Sequence, residues 1–330
     1  MEVWIVDEFG EPADALKRAN AAALEPSDGE IAVSVDAIGL NFLDVSVCRG
    51  AYFSQPTLPI VPGAELVGRV DAVGGGVTSL AVGDRVAAMS PSAQGAFAER
   101  IVVPATAAHR VPAEIPDEHA AGLLVTYQTA YFALLRRAML SAGEWLLVHA
   151  AAGGVGTAAI QLGRAVGARV IATAGTPEKL ELCLEQGAEI AINYKSDDFV
   201  AVVNEATGGG ASVVFDPVGG EVFTRSHECT AFEGRLVPIG WAGGTPPEID
   251  ALTLLGRNLT LIGVSWGSAY PLVRPDLVAE AHAALLELYA QWRIRPVVPR
   301  VWDFDDLPQA VQALADGAVI GKAVVSRSPG

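Results

Sequence analysis

Residues 150–156, Ala150-Ala151-Ala152-Gly153-Gly154-Val155-Gly156, constrain the fold of this chain more than any other stretch because of what flanks them. Trp145 to Ala150 reads as a buried strand and Val155 to Val166 as a helix, so the glycines fall at a strand-to-helix turn. Such a turn lets backbone approach a pyrophosphate without a Cβ in the way and offers it helix N-terminal amides. Ala151 stands where G-x-G-x-x-G has its first glycine, and a glycine turn in this place is often purely structural, so its surroundings must decide. The same rhythm continues downstream. Arg169 to Thr173 is a strand, Pro177 to Gln186 a helix with Thr176 as N-cap, Ile190 to Ile192 a strand, and a helix starts from Asp197. Strand Ser212 to Phe215, a helix near Val222 and strands Arg235 to Ile239 and Leu259 to Ile262 follow. With Trp145 to Val148 these make six strands, enough for a doubly wound α/β nucleotide-binding sheet.

Sheets that bind NAD carry an acid about 20 residues after the glycines, where it meets the ribose 2′-hydroxyl. Here that zone reads Ala172-Thr173-Ala174-Gly175-Thr176-Pro177-Glu178-Lys179, with small neutral residues in the acid's place. A 2′-phosphate fits there, received by Thr176, by the following helix amides and by the cation Lys179. Thr176 as a simple cap and Lys179 as a solvated helix residue explain the same letters equally well. The missing acid is the firmer half of the argument.

Outside this half the pattern changes. From Ile31 to about Pro104, short alternating or buried runs such as Ile31 to Val35 and Leu66 to Val70 are punctuated by Pro62-Gly63, Gly74-Gly75-Gly76 and Val82-Gly83-Asp84, which reads as a partly open antiparallel β domain. Beyond Trp266 a long helix (Pro275 to Trp292), a strand (Val297 to Val301), a helix (Leu307 to Ala315) and a strand (Lys322 to Val325) are expected to return to that first domain.

Charge and cysteine content exclude several classes of function. The 38 acids and 22 bases give a net charge of −16, a field that repels nucleic-acid phosphates and anionic lipid. Neither is expected as a partner. Cys48, Cys183 and Cys229 are too few and too scattered for a disulfide framework or a four-cysteine zinc lobe, which points to a reducing cytoplasm. The opening residues carry acids where a signal peptide carries bases. The most apolar later run, Ala120 to Leu135, falls short of a membrane span of about 20 residues.

Several ordered stretches resemble the medium-chain dehydrogenase/reductase superfamily, and within it the zinc-independent quinone oxidoreductase branch, zeta-crystallin-like. They are Asn41-Phe42-Leu43-Asp44, Pro62 to Gly68, Val82 to Val86, Gly95 to Glu99, Thr129-Ala130-Tyr131, His149 to Gly156, Asp216 to Gly220 and Gly321-Lys322. The resemblance implies a GroES-like β domain (residues 1–120 and 266–330), a Rossmann NADPH-binding domain (121–265), and a cleft between them for nicotinamide and substrate. It also implies a homodimer, paired through the edge strand near Leu259 to Val264. Zinc-dependent relatives place a cysteine near position 41 and a histidine before Glu65. This chain has Asn41 and Ala64, so no metal is expected, and His109 and His119 stand alone without ligand partners.

Carried over residue by residue, the resemblance puts Asn41, Tyr52 and Thr129 beside nicotinamide and substrate as the catalytic group. Gly153, Gly154, Val155 and Gly156 would hold the pyrophosphate, with Thr173 and Thr176 at the end of the next strand. Lys179 and Tyr194 would meet the 2′-phosphate, Lys322 would lie on the nicotinamide side, and Gly240, Val264, Ser265 and Trp266 would line the far wall. Plainer roles exist for these residues and for Asp44: Asn41 closing a turn, Asp44 capping a helix, Tyr52 as a loop aromatic, Thr129 back-bonding within its helix. The activity implied is NADPH-dependent hydride transfer to a quinone or an α,β-unsaturated carbonyl, with Tyr52 hydroxyl and Asn41 amide as donors to the developing oxyanion. Two rivals remain. One is a 2-enoyl-thioester (enoyl-CoA) reductase, which needs a basic channel from arginines such as Arg136, Arg137 and Arg257. The other is a non-catalytic NADPH-binding protein. Loops such as Ala51 to Pro59 and Trp241 to Pro247 would choose the substrate.

Overall fold

The computed structural model describes residues 1–52, 57–90 and 94–327, and the chain forms two compact units. One comprises Met1–Val125, Gly267–His282 and Pro296–Gly330; the other comprises Thr126–Trp266 and Ala283–Arg295. The second half of the Pro275–Ala290 helix and the residues after it as far as Arg295, expected with the β domain, therefore cluster with the nucleotide-type unit. A polar tie accounts for this: Gln161 Oε1 accepts the Arg295 amide (2.8 Å) and the Tyr127 hydroxyl (2.7 Å), while Gln161 Nε2 donates to the Arg295 carbonyl (2.8 Å).

The larger sheet of the first unit is built on the Glu30–Gly39 strand. This strand runs antiparallel to Glu65–Val73, which continues to Arg85–Met89 and Ala108–Arg110. Its other side pairs with Arg100–Pro104 and, near its end, with Val324–Ser326. Ile31, Val33, Ile38, Leu66, Val86 and Phe97 fill the core beneath. The registers bring distant segments together. Gly39 stands opposite Glu65 on one side and Val324 on the other, so the residues just past Gly39, at the start of the Glu65 strand and just before Val324 converge. The strand expected over Val297–Val301 begins instead at Val301 and runs to Asp303, because Pro299 has no N–H to give a ladder.

The second unit is a six-stranded parallel sheet in the order Ile190–Asn193, Arg169–Ala174, Trp145–Val148, Ala211–Asp216, Thr230–Pro238, Thr260–Leu261. Numbered along the chain this is 3-2-1-4-5-6, the doubly wound dinucleotide order. Leu146, Leu147, Val148, Ile171, Val214 and Phe215 are all fully buried, continuous apolar runs because helices cover both faces. The intervening helices start where the caps say they should: the Thr176 hydroxyl accepts the Lys179 amide (3.4 Å) and Asp198 accepts the Val200 amide (3.1 Å). The edge strand is only two residues long, Thr260–Leu261, shorter than the Leu259–Ile262 expected.

Candidate active site

The glycine turn leaves the first strand at Ala150, whose φ of 46° is left-handed. Ala151 then donates to the Thr173 carbonyl (3.0 Å) and Gly153 to the Ala150 carbonyl (3.1 Å), folding the chain back into the Gly154–Ala165 helix. A Cβ at Gly156 would lie 2.5 Å from the Ala150 oxygen and 2.6 Å from Ala151 Cα, so only glycine permits this turn. The first-turn amides, Gly154, Val155 and Gly156, have no carbonyl within the helix to bond.

His149 braces the turn from beneath. Its Nε2 is 2.9 Å from the Ser226 hydroxyl, which spends its only hydrogen on the Val222 carbonyl (2.7 Å). Nε2 must therefore donate, leaving Nδ1 to accept from the Thr173 hydroxyl at 3.0 Å. Burial pushes the imidazole pKa down to about 3, which keeps it in this neutral form. Thr173, expected among the residues touching cofactor, is 2% exposed, with its hydroxyl bonded to His149 and its carbonyl accepting the Ala151 amide.

At the end of the second strand, Gly175 lies under two side chains. A Cβ there would be 2.7 Å from the Tyr194 hydroxyl and 3.0 Å from Lys195 Cε. Thr176, Tyr194 and Lys195 thus surround one glycine at the start of the helix that carries Lys179, with no acid among them. Lys195 is the residue that reading the sequence missed; its signal was adjacency to Tyr194. Farther along the same C-terminal edge of the sheet, Asp216 Oδ1 accepts the Val218 and Gly219 amides (2.6 and 3.2 Å), and Gly240 follows the Thr230–Pro238 strand. Val264, Ser265 and Trp266 follow the last strand. Trp266 is 3% exposed, and its indole N–H has no partner among the described residues.

In the first unit the registers deliver a buried polar cluster. Asn41 precedes the Phe42–Cys48 helix, and Asp44 Oδ2 accepts its amide at 2.7 Å. Asn41 Nδ2 donates to the Gly39 carbonyl and to Glu65 Oε2, both at 3.1 Å. Lys322 Nζ donates to Asn41 Oδ1 and to Glu65 Oε2, both at 2.7 Å. Glu65 Oε1 accepts the Val125 amide, also at 2.7 Å. Glu65 lies within Pro62 to Gly68, one of the stretches that carry the family resemblance, and an acid opening an apolar strand is the sequence signal that marks it. Asp44 is fully buried with Oδ1 unpartnered among the described residues, and burial, the leading cause, pushes its pKa up to about 7. Tyr52 packs half-buried against the same core, and burial, then the Asp44 charge, raises its pKa. Thr129 sits half-buried on Gln128–Ala130 between two π-helical stretches, Leu123–Tyr127 and Tyr131–Arg137. Of the loop Ala51–Pro59, residues 53–56 lie outside the described residues. His109 stacks on His282 at 5.0 Å between ring centroids.

Comparison with known proteins follows the same division. The alcohol dehydrogenase GroES-like domain family matches residues 27–113 and the zinc-binding dehydrogenase family residues 154–284. A quinone oxidoreductase-like protein 2 homolog of Nematostella vectensis is 37% identical over 300 residues, 90% of this chain and 81% of the relative. The crystal structure of Escherichia coli quinone oxidoreductase complexed with NADPH aligns with a TM-score of 0.92 at 32% identity, covering 99% of this chain and 100% of that one. The quinone oxidoreductase of Thermus thermophilus, also described in complex with NADPH, is 38% identical with a TM-score of 0.83 over 99% and 100% of the two chains. A GroES-like β domain and a Rossmann sheet with its glycine turn together define a two-domain dehydrogenase/reductase. This chain belongs to the medium-chain dehydrogenase/reductase superfamily, in its zinc-independent quinone oxidoreductase branch. Among the described residues no three His, Cys, Asp or Glu gather as metal ligands, and no helix is long and apolar enough to cross a membrane.

Proposed function

We propose that this chain is an NADPH-dependent reductase that transfers hydride to a quinone or an α,β-unsaturated carbonyl. The observation that carries the reading is the end of the second Rossmann strand, where Gly175 lies under Tyr194 and Lys195 beside Thr176, without an acid. A 2′-phosphate is an anion with strong acceptor oxygens, and lysines, a hydroxyl and helix amides are its complements. The glycine turn fits the pyrophosphate: glycines at 153, 154 and 156 leave the backbone bare, and three first-turn amides are free of helical partners. The relatives described with NADPH bound support the same cofactor.

Bound nicotinamide supplies the hydride; the chain binds, orients and excludes water. The Tyr52 phenol, its pKa raised by burial and by Asp44, stays protonated at neutral pH and serves as donor to the oxygen that gains negative charge. Thr129 is assigned to the same reacting end. A homodimer through the edge strand is supported by exposed Leu252, Leu255 and Leu261, on and beside Thr260–Leu261. Three buried thiols, each pushed up to about 12 chiefly by burial, fit a reducing cytoplasm.

The test is a tryptophan-fluorescence titration of the apo protein with NADPH and NADH, followed by turnover on quinones, enones and enoyl-CoA. Tighter NADPH binding with quinone or enone turnover is expected. Turnover confined to enoyl-CoA would make the chain a thioester reductase, binding without turnover would make it a carrier, and tighter NADH binding would overturn the phosphate site.

A further inference from the structure

Arg295 lies just past the Pro275–Ala290 helix, and all of it is held except one edge of its side chain. Its main chain is pinned by Gln161, whose Oε1 accepts the Arg295 amide (2.8 Å) and whose Nε2 donates to the Arg295 carbonyl (2.8 Å). Its Cζ is 3.6 Å from the centre of the Tyr289 ring and 3.9 Å from that of Trp292. So close, each ring can meet the guanidinium only face-on, and a plane has two faces, so the rings lie on opposite sides. Nη1 donates to the carbonyls of Tyr289 and Ile294, which closes the helix end. Trp292 stands in the left-handed region, φ 60°, where a helix ordinarily ends on glycine, and is 78% exposed. Of the five guanidinium donors the three on Nε and Nη2 remain. They have no partner among the described residues and are not sealed from solvent. Arg85, Arg169 and Arg235 each pair with a carboxylate. Arg295 has none among the described residues, and Glu287, the last acid of the helix, accepts from Gln291 (3.1 Å).

We propose that this Nε–Nη2 edge of Arg295 binds the carboxylate of a small planar organic acid, at a site separate from the glycine turn. The edge presents two parallel N–H groups that match the two oxygens of a carboxylate. The rings flank the guanidinium plane, so a flat carboxylate continues that plane, whereas a tetrahedral phosphate sets oxygens above and below it. The exposed Trp292 indole gives the body of the acid an apolar neighbour. Clamped beforehand, the guanidinium gives up little freedom on binding. Capping the helix needs Nη1 alone and does not call for a tryptophan where glycine is the easier residue. Gln161, which anchors Arg295, sits about two turns along its helix from Gly154, which sets the site apart from the first-turn amides.

The probe is 4-fluorobenzoate, followed by fluorine NMR line broadening on the full chain. It should bind saturably, and 4-fluorobenzamide, a similar shape without the charge, about tenfold more weakly. No saturable binding, or equal binding of the amide, would overturn the proposal. Arg295→Lys keeps a charge but loses the fork, and should weaken the acid about tenfold; an unchanged dissociation constant would overturn the site. Trp292→Gly gives the turn the residue its φ prefers, so it should melt no lower than the parent while binding the acid more weakly. A Trp292→Gly chain that melts lower yet binds the acid as before would make the indole a structural prop and overturn its part in the site. Inorganic phosphate displacing the probe at a lower concentration than benzoate does would overturn the choice of carboxylate. NADPH affinity in Arg295→Lys should stay within about twofold of the parent's, since no contact is shared; a loss equal to that of the acid would place the edge in the nucleotide site and overturn its separateness.

Discussion

Lys322 and Glu65 form a 2.7 Å ion pair across 257 residues of sequence, with side chains 3% and 0% exposed. Both charges have left water, and they are tolerated because Asn41 and the Val125 amide complete their hydrogen bonding. Removing one partner strands the other. Lys322→Met is expected to cost on the order of 3–5 kcal/mol in urea unfolding, and Lys322→Met combined with Glu65→Gln should recover part of that loss. A Lys322→Met chain as stable as the parent would mean that the Glu65 charge finds water in the folded state.

Two glycines near the proposed cofactor differ in what an added methyl would meet. At Gly156 the obstacles are backbone atoms of Ala150 and Ala151, which cannot yield without opening the turn. At Gly175 they are the ends of the Tyr194 and Lys195 side chains, which can swing aside. Gly156→Ala should therefore lower the melting temperature and abolish binding of NADPH and NADH alike. Gly175→Ala should leave melting nearly unchanged and weaken NADPH more than NADH. Equal loss of both nucleotides in Gly175→Ala would remove that corner from 2′-phosphate recognition.

The Rossmann half was legible because each buried parallel strand is a continuous apolar run closed by a glycine or a capping Thr or Asp, signals that need no tertiary knowledge. The antiparallel half was legible from its alternation and its Gly-Pro punctuation. Contacts between distant segments were not. Nothing local links Lys322 to Glu65, because strand register alone sets Gly39 between Glu65 and Val324. Nor does anything local show that the Thr173 hydroxyl bonds the His149 ring, 24 residues away. Lys195 escaped notice because an exposed lysine resembles every other surface lysine until Gly175 is found beneath it.

Buried titratable groups set opposing pH dependences. Burial, and then the neighbouring His282, push the His109 pKa down from 6.5 to about 4, while burial takes His149 to about 3. Below the ordinary imidazole range the unfolded chain takes up protons that the folded chain refuses, so stability falls as pH drops from roughly 6.5 toward 4. Asp44 works the other way. With its pKa raised to about 7, the folded chain keeps a proton that the unfolded chain has already released, so this contribution declines as pH rises from the ordinary carboxylate range to about 7. Two imidazoles outweigh one carboxylate over this interval, so melting temperatures should rise from about pH 4 toward 7 and level off above it. Asp44→Asn removes the opposing contribution and should steepen the rise between about pH 4 and 7; any constant offset from the new amide does not alter that slope. An unchanged slope would mean that Asp44 is ionised throughout.

The last prediction concerns discrimination between nucleotides that differ by one phosphate. Lys195 Cε lies 3.0 Å from where a Gly175 Cβ would sit, and Lys179 is on the helix capped by Thr176. Each lysine offers a charge-assisted contact to a 2′-phosphate and nothing specific to a 2′-hydroxyl. The sites are solvent-facing, so each contact is worth the lower end of the range for such bonds, about 1.5 kcal/mol or roughly tenfold in affinity. Lys195→Ala and Lys179→Ala should each raise the NADPH dissociation constant about tenfold, leave that of NADH within about twofold, and lose part of their effect in high salt. The double variant should bind the two nucleotides almost equally. If Lys195→Ala leaves the NADPH to NADH ratio untouched while Lys179→Ala abolishes it, the phosphate sits against the helix N-terminus alone, and Lys195 is a surface lysine after all.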